Sequence, residues 1–354
     1  MCFNKIKVID PLNDARWDSF VQSHPHGTIY QHSCWLRVLT LTYRQANPLC
    51  FIIEDEKGNI RAAIPCFVVK SRLTGTRIVS LPFTSYSDPL VEQEKDFTRL
   101  LDCIIEKADN ISASYCELRG FRNLNSIRDD RLKPHYYYKI QILDIKDGFE
   151  EVRRAFPRDI VKARNRAIKY GLEIKQGCIE QDLKEFYTMH ALMRRRLGFP
   201  IQPYNFFKNI WDILYPRGFL TLILAKLNKT TIAGIILFKF KDIVTYEFGS
   251  PLQQYMDKYP NHFLLWNAIE MSCAEGFHYF DFGKSPPNHK GLLDFKRRWG
   301  AQMYDVPYFY YPKVEGIMSL EQDNFKHRLL RAVGKNIPLP LAKIIGCFAY
   351  HHLG

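Results

Sequence analysis

Tyr279 to Gly300 reads YFDFGKSPPNHKGLLDFKRRWG. Tyr279 to Phe282 are aromatic around one carboxylate, the pattern of a buried strand, and Gly283 closes the run as a strand-end glycine. Upstream, His262 to Gly276 places Phe263, Leu264, Ala268, Ile269 and Met271 at helical spacing and ends in a glycine suited to a C-terminal cap. The order is therefore helix, strand, then a polar loop that holds Lys284, His289, Lys290, Lys296, Arg297 and Arg298 near Phe295 and Trp299. Cations packed with rigid aromatics beside a strand end suit a site for a carbonyl, phosphate or carboxylate. The same residues also suit a solvated basic loop anchored by two core aromatics, and the local pattern leaves both open.

Working outward, the helix-then-strand order recurs. Leu49 to Ile53, a turn at Asp55 to Asn59, and Ala62 to Val69 predict a hairpin, followed by strand Arg77 to Leu81, helix Asp96 to Lys107 and strand Tyr115 to Leu118. Leu222 to Lys226, Leu227 to Thr231 and Ala233 to Phe240 repeat the hairpin at an offset of 171, so that Ala62-Ala63 fall on Ala233-Gly234. Leu100-Leu101 fall on Leu264-Leu265 at an offset of 164, and Gly120 on Gly283 at 163. A repeat of this length predicts duplication of one α/β unit. The expected fold is α/β (α+β): two lobes, each a mixed, mostly antiparallel sheet flanked by helices.

The join is expected near Ile145 to Gly148, giving domains 1–145 and 146–312, the second carrying the site, and a basic amphipathic tail at 313–354. Ser33 is expected to cap a helix from Cys34 to Tyr43. The second lobe opens on a basic helix, Phe149 to Tyr170, broken at Pro157 and closed by Gly171. Another helix runs from Leu183 to Arg196 into Leu197-Gly198-Phe199-Pro200. In the tail, Leu341, Ile344, Ile345, Phe348 and Ala349 fall at helical spacing among Lys326, Arg328, Arg331, Lys335 and Lys343. That pattern fits a surface anchor at an anionic membrane or a final helix docked on the domain.

Composition narrows the partners. The 354 residues carry 50 Lys and Arg against 37 Asp and Glu, a formal charge of +13. Such an excess favours nucleic acid, nucleotide-linked sugars or an anionic membrane surface. The nine cysteines are scattered, without CxxC or Cys/His metal spacing, and are expected to be reduced core thiols of a cytosolic protein. No signal peptide is expected in Met1 to Asp10, and no segment approaches the ~20 apolar residues of a membrane span.

Phe280-Asp281-Phe282-Gly283, Gly291 and Phe295-Lys296-x-x-Trp299-Gly300 together resemble the closing signature of the Fem-type (FemAB/FemX-like) transferases. These are two-lobed relatives of the GNAT acetyltransferases that move aminoacyl or acyl groups onto cell-envelope precursors. His24-Pro25 through Trp35, and Ser80-Leu81-Pro82-Phe83, resemble the N-terminal lobe of Fem-related proteins tied to exopolysaccharide and exosortase gene sets. Leu197 to Pro200 with Pro203-Tyr204-x-Phe206-Phe207 is similar to a further Fem block, and the resemblance covers roughly residues 15 to 312.

The resemblance implies tandem GNAT-like domains and a set of roles. Lys296 would stabilise the oxyanion, Tyr246 would contact the acceptor, and Arg196, with Arg194 and Arg195 as alternatives, would help hold a nucleotide-linked precursor. Tyr204, Arg158 and Lys284 are further substrate-binding candidates, and Asp281, Gly283, Phe295 and Trp299 structural ones. The acceptor would be a nucleotide- or lipid-linked peptidoglycan or exopolysaccharide precursor. No permanently bound cofactor is expected; the co-substrate would be aminoacyl-tRNA or acyl-CoA. Gly249 to Pro260 has one glycine and lacks the Arg/Gln-x-x-Gly-x-Gly/Ala loop that holds acetyl-CoA, which favours another activated donor. The helical hairpin that several Fem enzymes turn toward tRNA is also absent. The expected location is the cytoplasm, at the inner face of the plasma membrane, with oligomeric state open. The competing expectation is a non-catalytic basic module that binds RNA or a biosynthetic complex.

Overall fold

Short apolar runs rich in Ile, Leu and Phe become central strands, and longer runs at 3.6-residue spacing become the helices laid on them. The computed structural model describes residues 6–43, 46–71, 75–124, 129–312 and 334–353. Expectations for Lys326, Arg328 and Arg331 lie outside these residues. In chain order the elements begin with β1 (Ile6–Ile9), α1 (Trp17–Ser23), α2 (Ser33–Thr42), β2 (Ala46–Glu54) and β3 (Ile60–Ser71). There follow β4 (Gly75–Val79), α3 (Glu94–Asn110), β5 (Cys116–Arg119), β6 (Lys133–Asp144), α4 (Phe149–Arg154) and α5 (Arg158–Lys169). Next come β7 (Leu172–Gly177), α6 (Glu180–Leu197), α7 (Tyr204–Leu214), β8 (Leu220–Leu227), β9 (Thr230–Phe240) and β10 (Ile243–Pro251). The last are α8 (Pro260–Ala274), β11 (Tyr279–Asp281), α9 (Lys290–Arg297), β12 (Gln302–Tyr311) and α10 (Leu339–Leu353).

The chain divides into two units. The first comprises the described residues of Met1–Tyr138, Asp305–Ser319 and Ala349–Gly354. Its strands run β1-β2-β3-β4-β5-β12, antiparallel except for the parallel pair β4–β5. Helix α3 buries Phe97, Leu100, Leu101, Ile104 and Ala108 on this sheet, one stripe at helical spacing. Asp96 in its first turn pairs with Arg61, which fixes the helix to β3. Ser33 does not cap α2, contrary to expectation. The N-cap is His32, whose Nδ1 accepts the Cys34 N–H at 3.2 Å, while the Ser33 hydroxyl donates to Asp18.

The second unit comprises the described residues of Lys139–Tyr304 and Leu320–Phe348. From Lys139 onward β6 belongs here, and the strands run β6-β11-β10-β9-β8-β7, parallel only at β10–β11. Pro157 breaks the basic helix into α4 and α5, and Gly171 closes it with φ +82°. Helix α8 buries Phe263, Leu264, Leu265, Trp266, Ala268 and Ile269. The division at Tyr138/Lys139, and the return of β12 from Asp305 to the first unit, differ from a cut at 145/146 because a single long strand, β6, serves both units.

Both units follow one topology: hairpin, antiparallel third strand, helix, parallel fourth strand. The hairpins even slip register at the same place, between Ile53 and Glu54 and between Ala225 and Lys226. Ala62 pairs with Ile53 as Ala233 does with Ala225, so the offset is 171 for β3 and β9 but 172 for β2 and β8, the second hairpin's turn being one residue shorter than a constant offset predicts. The Gly120–Gly283 match is corrected. Cys116 and Leu118 face one core as Phe280 and Phe282 face the other, which aligns Glu117 with Asp281 and leaves Gly120 opposite Lys284. Only Gly283 of the two glycines has positive φ, +70°. The cysteines also divide: Cys34, Cys50, Cys66 and Cys116 are buried, whereas Cys178 and Cys347 are exposed rather than core thiols.

Helix α6 is started by a buried carboxylate. Asp182 accepts the backbone N–H groups of Cys178 (3.0 Å) and Ile179 (3.4 Å) and pairs with Lys175. Burial raises its pKa, but the Lys175 ammonium and the two N–H donors outweigh burial and hold it below the ordinary carboxylate value. The resulting stability is present above the unfolded pKa of about 3.9 and is lost as pH falls through the lower folded value. Asp182→Asn is expected to cost about 1–3 kcal/mol at neutral pH in urea titrations and to flatten the loss of stability below about pH 4.

Candidate functional site

The stretch from Tyr279 to Gly300 forms a site of its own within the second unit. After β11 the chain turns at Gly283, where two demands exclude a side chain. Its φ is +70°, and a Cβ there would lie 2.7 Å from the Tyr246 carbonyl oxygen. The turn brings the Gly283 carbonyl and the Ser285 hydroxyl to Lys296 Nζ, each at 2.8 Å. Lys296 is only 4% exposed, with Asp281 and Ser285 at 0%. Lysine is among the side chains least often buried, because desolvating its charge is costly unless polar partners replace water. Buried Lys296, with the Gly283 carbonyl and the Ser285 hydroxyl among its partners, is thus a principal electrostatic feature of this region.

The polar knuckle is not a loop throughout. Lys290–Arg297 is helix α9, N-capped by His289, whose Nδ1 accepts the Leu292 N–H at 3.2 Å. The helix turns Lys296 and Trp299 inward and leaves Arg297 and Arg298 exposed. Two turns with Gly291 inside carry too little periodicity to be seen from sequence. Phe295 and Trp299 pack with His262, at ring distances of 5.1 and 6.2 Å, and Trp299 also meets Phe156 at 5.2 Å. The lysine's ammonium is positioned by oxygens, where the sequence suggested the flanking rings. Burial lowers the pKa of His262, so its imidazole is neutral at physiological pH.

Two residues overlooked in the sequence complete the frame. Ser285 exchanges backbone hydrogen bonds with Lys139 of β6, at 2.7 and 2.9 Å. Gln141, two positions on, donates from Nε2 to the Leu293 carbonyl of α9 at 2.9 Å, and its backbone carbonyl accepts the Phe282 N–H. The Gln141 Oε1 is buried without a hydrogen-bond partner, as is the Trp299 indole N–H. Asp281 Oδ1 accepts the Gly283 N–H at 2.7 Å and so stabilises the turn, consistent with an orienting carboxylate.

Tyr246 enters from β10. Strands β10 and β11 pair for three residues, Ile243–Thr245 against Tyr279–Asp281. At the end of that pairing β10 shifts register between Tyr246 and Phe248, leaving Glu247 as the extra residue of a bulge. The phenol of Tyr246 lies over Gly249, where an added Cβ would fall 1.7 Å from its oxygen. Burial pushes its pKa up to about 12, so it remains a neutral hydrogen-bonding group.

Arg196 and Tyr204 belong to a second group, at the end of α6. Arg194 donates to the Pro200 carbonyl at 3.0 Å and lies over the Phe199 ring, which gives it a structural task. Arg196 is exposed and Arg195 half-exposed, so these two remain for an anion. The Tyr204 hydroxyl donates to Glu180 at 3.1 Å, and burial, aided by that carboxylate, pushes its pKa up to about 12. Buried His190 joins this group to β10. Its Nε2 donates to Gln202 Oε1 at 2.9 Å, and Nδ1 accepts from Ser250 at 3.0 Å. Burial, with Arg194 nearby, pushes its pKa down to about 3, so it stays neutral. No local motif announces a pairing across 60 residues. Arg158 is exposed at the start of α5, beside Asp159, which pairs with Arg298 just past α9. Lys284 is half-buried next to the Gly283 turn.

Residues 154–297 match a family model described as an acetyltransferase (GNAT) domain. The chain is 22% identical to a lipid II:glycine glycyltransferase of Staphylococcus haemolyticus, over 82% of this chain and 89% of that protein. Among solved structures, FemX superposes with a TM-score of 0.70 at 18% identity, covering 87% of this chain and 97% of FemX. A tandem GNAT protein from the clavulanic acid biosynthesis pathway superposes at 0.55, with 9% identity and coverage of 88% and 100%. The tandem GNAT fold and the Fem-like character read from the sequence are both borne out.

Gly283→Ala tests the turn on which the site depends. It is expected to lower stability by about 1–3 kcal/mol in chemical denaturation, through the positive φ and the clash with the Tyr246 carbonyl. Gly291→Ala, with open space around its Cα, is expected to be neutral or slightly stabilising within α9.

Proposed function

We propose that this chain, a Fem-like protein of tandem GNAT fold, transfers an activated aminoacyl or acyl group onto a lipid-linked cell-envelope precursor. The observation that carries the reading is the buried Lys296 ammonium, set by Gly283 and Ser285 inside the stretch that bears the Fem-like signature. Coverage of 82% of the chain by a relative named as a lipid II:glycine glycyltransferase supports a peptidoglycan precursor over an exopolysaccharide one as acceptor.

In such a transfer an amine or hydroxyl of the acceptor attacks the carbonyl carbon of the donor ester or thioester. The carbonyl oxygen becomes an oxyanion, and collapse of the tetrahedral intermediate expels the donor's alcohol or thiol with the proton released by the nucleophile. A fixed positive charge in a buried setting stabilises the oxyanion with little reorganisation, because its partners are in place before the reaction. Lys296 takes that role. The neutral phenol of Tyr246 orients the acceptor, while Arg196, Arg195 and Arg158 offer exposed charges for its phosphates.

The donor is taken to be an aminoacyl-tRNA or another activated acyl carrier, bound as a co-substrate. Between β10 and α8 lies a 3₁₀ turn, Gln253–Lys258, where a glycine loop would cradle a pyrophosphate, and Pro260 at the first position of α8 has no N–H to offer. This arrangement disfavours acetyl-CoA.

The test is a transfer assay on lipid II with radiolabelled aminoacyl-tRNA or acyl-CoA, followed by mass analysis of the product. Labelled lipid II is expected with the aminoacyl donor. Lys296→Met is expected to reduce kcat by roughly 10²–10³ while acceptor affinity changes little, since the charge acts mainly in the transition state. Weakened affinity with preserved kcat would reassign Lys296 to acceptor binding. No product with either donor, from a protein with a native melting curve, would overturn the transferase reading.

A further inference from the structure

The sequence left α10 as either a surface anchor or a docked helix, and the structure shows it docked on one face with large apolar side chains exposed on another. It docks through small residues. Ala342 and Gly346 are buried, and a Cβ at Gly346 would lie 2.1 Å from the Ile201 carbonyl oxygen, so the helix meets the 198–201 loop backbone directly. Gly334, upstream, packs the same way against the Gly198 carbonyl. Tyr350 is also buried, against the Phe83 ring, but four large aliphatic and aromatic side chains before it point outward. Leu341 is 49% exposed, Ile344 67%, Ile345 43% and Phe348 61%. Their spacing of three, four and seven residues makes one stripe along the helix. Leaving four large apolar side chains exposed while Ala342 and Gly346 are buried is the reverse of what core packing favours.

Charge identifies the occupant. From Asn324 to Gly354 the sequence has Lys326, Arg328, Arg331, Lys335 and Lys343 and no Asp or Glu. The helix rests on the loop that follows Arg195 and Arg196, which adds two cations beside it. A second copy of a chain with a formal charge of +13 would meet like charge. Among the described residues no helix is long and apolar enough to cross a membrane.

We propose that the exposed stripe of α10 is a contact for the surface of an anionic lipid bilayer, with Leu341, Ile344, Ile345 and Phe348 entering the headgroup boundary and the neighbouring cations meeting lipid phosphates. This contact is independent of the transfer chemistry. If both hold, it sets the arginines at the end of α6 beside the interface where a lipid-linked substrate resides.

The experiment is co-sedimentation of the full chain with vesicles of phosphatidylcholine alone or mixed with phosphatidylglycerol. Binding to the mixed vesicles that fades with salt is expected, and the triple variant Leu341→Gln/Ile344→Gln/Phe348→Gln is expected to bind at least tenfold more weakly, as ~0.8 kcal/mol per inserted CH₂ implies. These positions are exposed, so the melting curve is expected to stay unchanged. A second readout leaves the stripe intact: bimane on exposed Cys347, in a Cys178→Ser background, is expected to shift to the blue on mixed vesicles. Equal binding by the triple variant, equal binding to neutral vesicles, or no binding with an unshifted probe would each overturn the proposal. So would a dimer in sedimentation velocity that the triple variant abolishes, without vesicle binding, because it would assign the stripe to a second copy.

Discussion

The candidate site depends on the seating of a buried lysine. Lys296 reaches two neutral oxygens, the Gly283 carbonyl and the Ser285 hydroxyl, and each is there for a reason set elsewhere. Gly283 is delivered by a left-handed turn that no side chain would fit against the Tyr246 carbonyl. Ser285 is delivered by its backbone pairing with Lys139 of β6, and the helix carrying Lys296 is tied to the same strand through Gln141. Moving any of these would disturb acceptors of a buried lysine, and buried polar groups that lose partners are costly in a protein interior. The four segments are therefore constrained together.

Duplication shows what the second unit added. The first unit keeps a buried carboxylate at the equivalent strand position, Glu117, but satisfies it locally, through Arg119 at 2.6 Å and the Tyr310 hydroxyl at 2.9 Å. Asp281 instead stabilises the turn that presents Gly283 to Lys296. One fold thus carries a self-contained ion pair in one unit and, in the other, a turn that positions a charge. After the parallel strand the second unit carries the Gly283 turn and α9.

Much of this was legible in the sequence. The hairpins, third strands and parallel fourth strands are local alternations bounded by turn residues, and the 171-residue offset holds for β3 and β9, while a turn one residue shorter makes it 172 for β2 and β8. The strand and turn of the candidate site were legible for the same reason, since an aromatic strand ended by glycine is a local pattern. The supports of the site were not legible. Ser285 meets Lys139, Gln141 meets Leu293, and His190 meets Ser250 across long separations, and one chain's pattern carries no signal for such pairs. The tail misled in another way. Its apolar residues fall at helical spacing, which ordinarily marks the docked face, yet Gly346 and Ala342 take that face because only small residues fit against the Ile201 backbone.

The central claim is that Lys296 acts through the position its two oxygens give it. A double-mutant cycle on kcat, comparing Ser285→Ala, Lys296→Met and the pair, measures this directly. Removing the Ser285 hydroxyl is expected to lower kcat when Lys296 is present and to do almost nothing when it is absent, a coupling of about 1 kcal/mol or more. Additive effects of the two substitutions would contradict it.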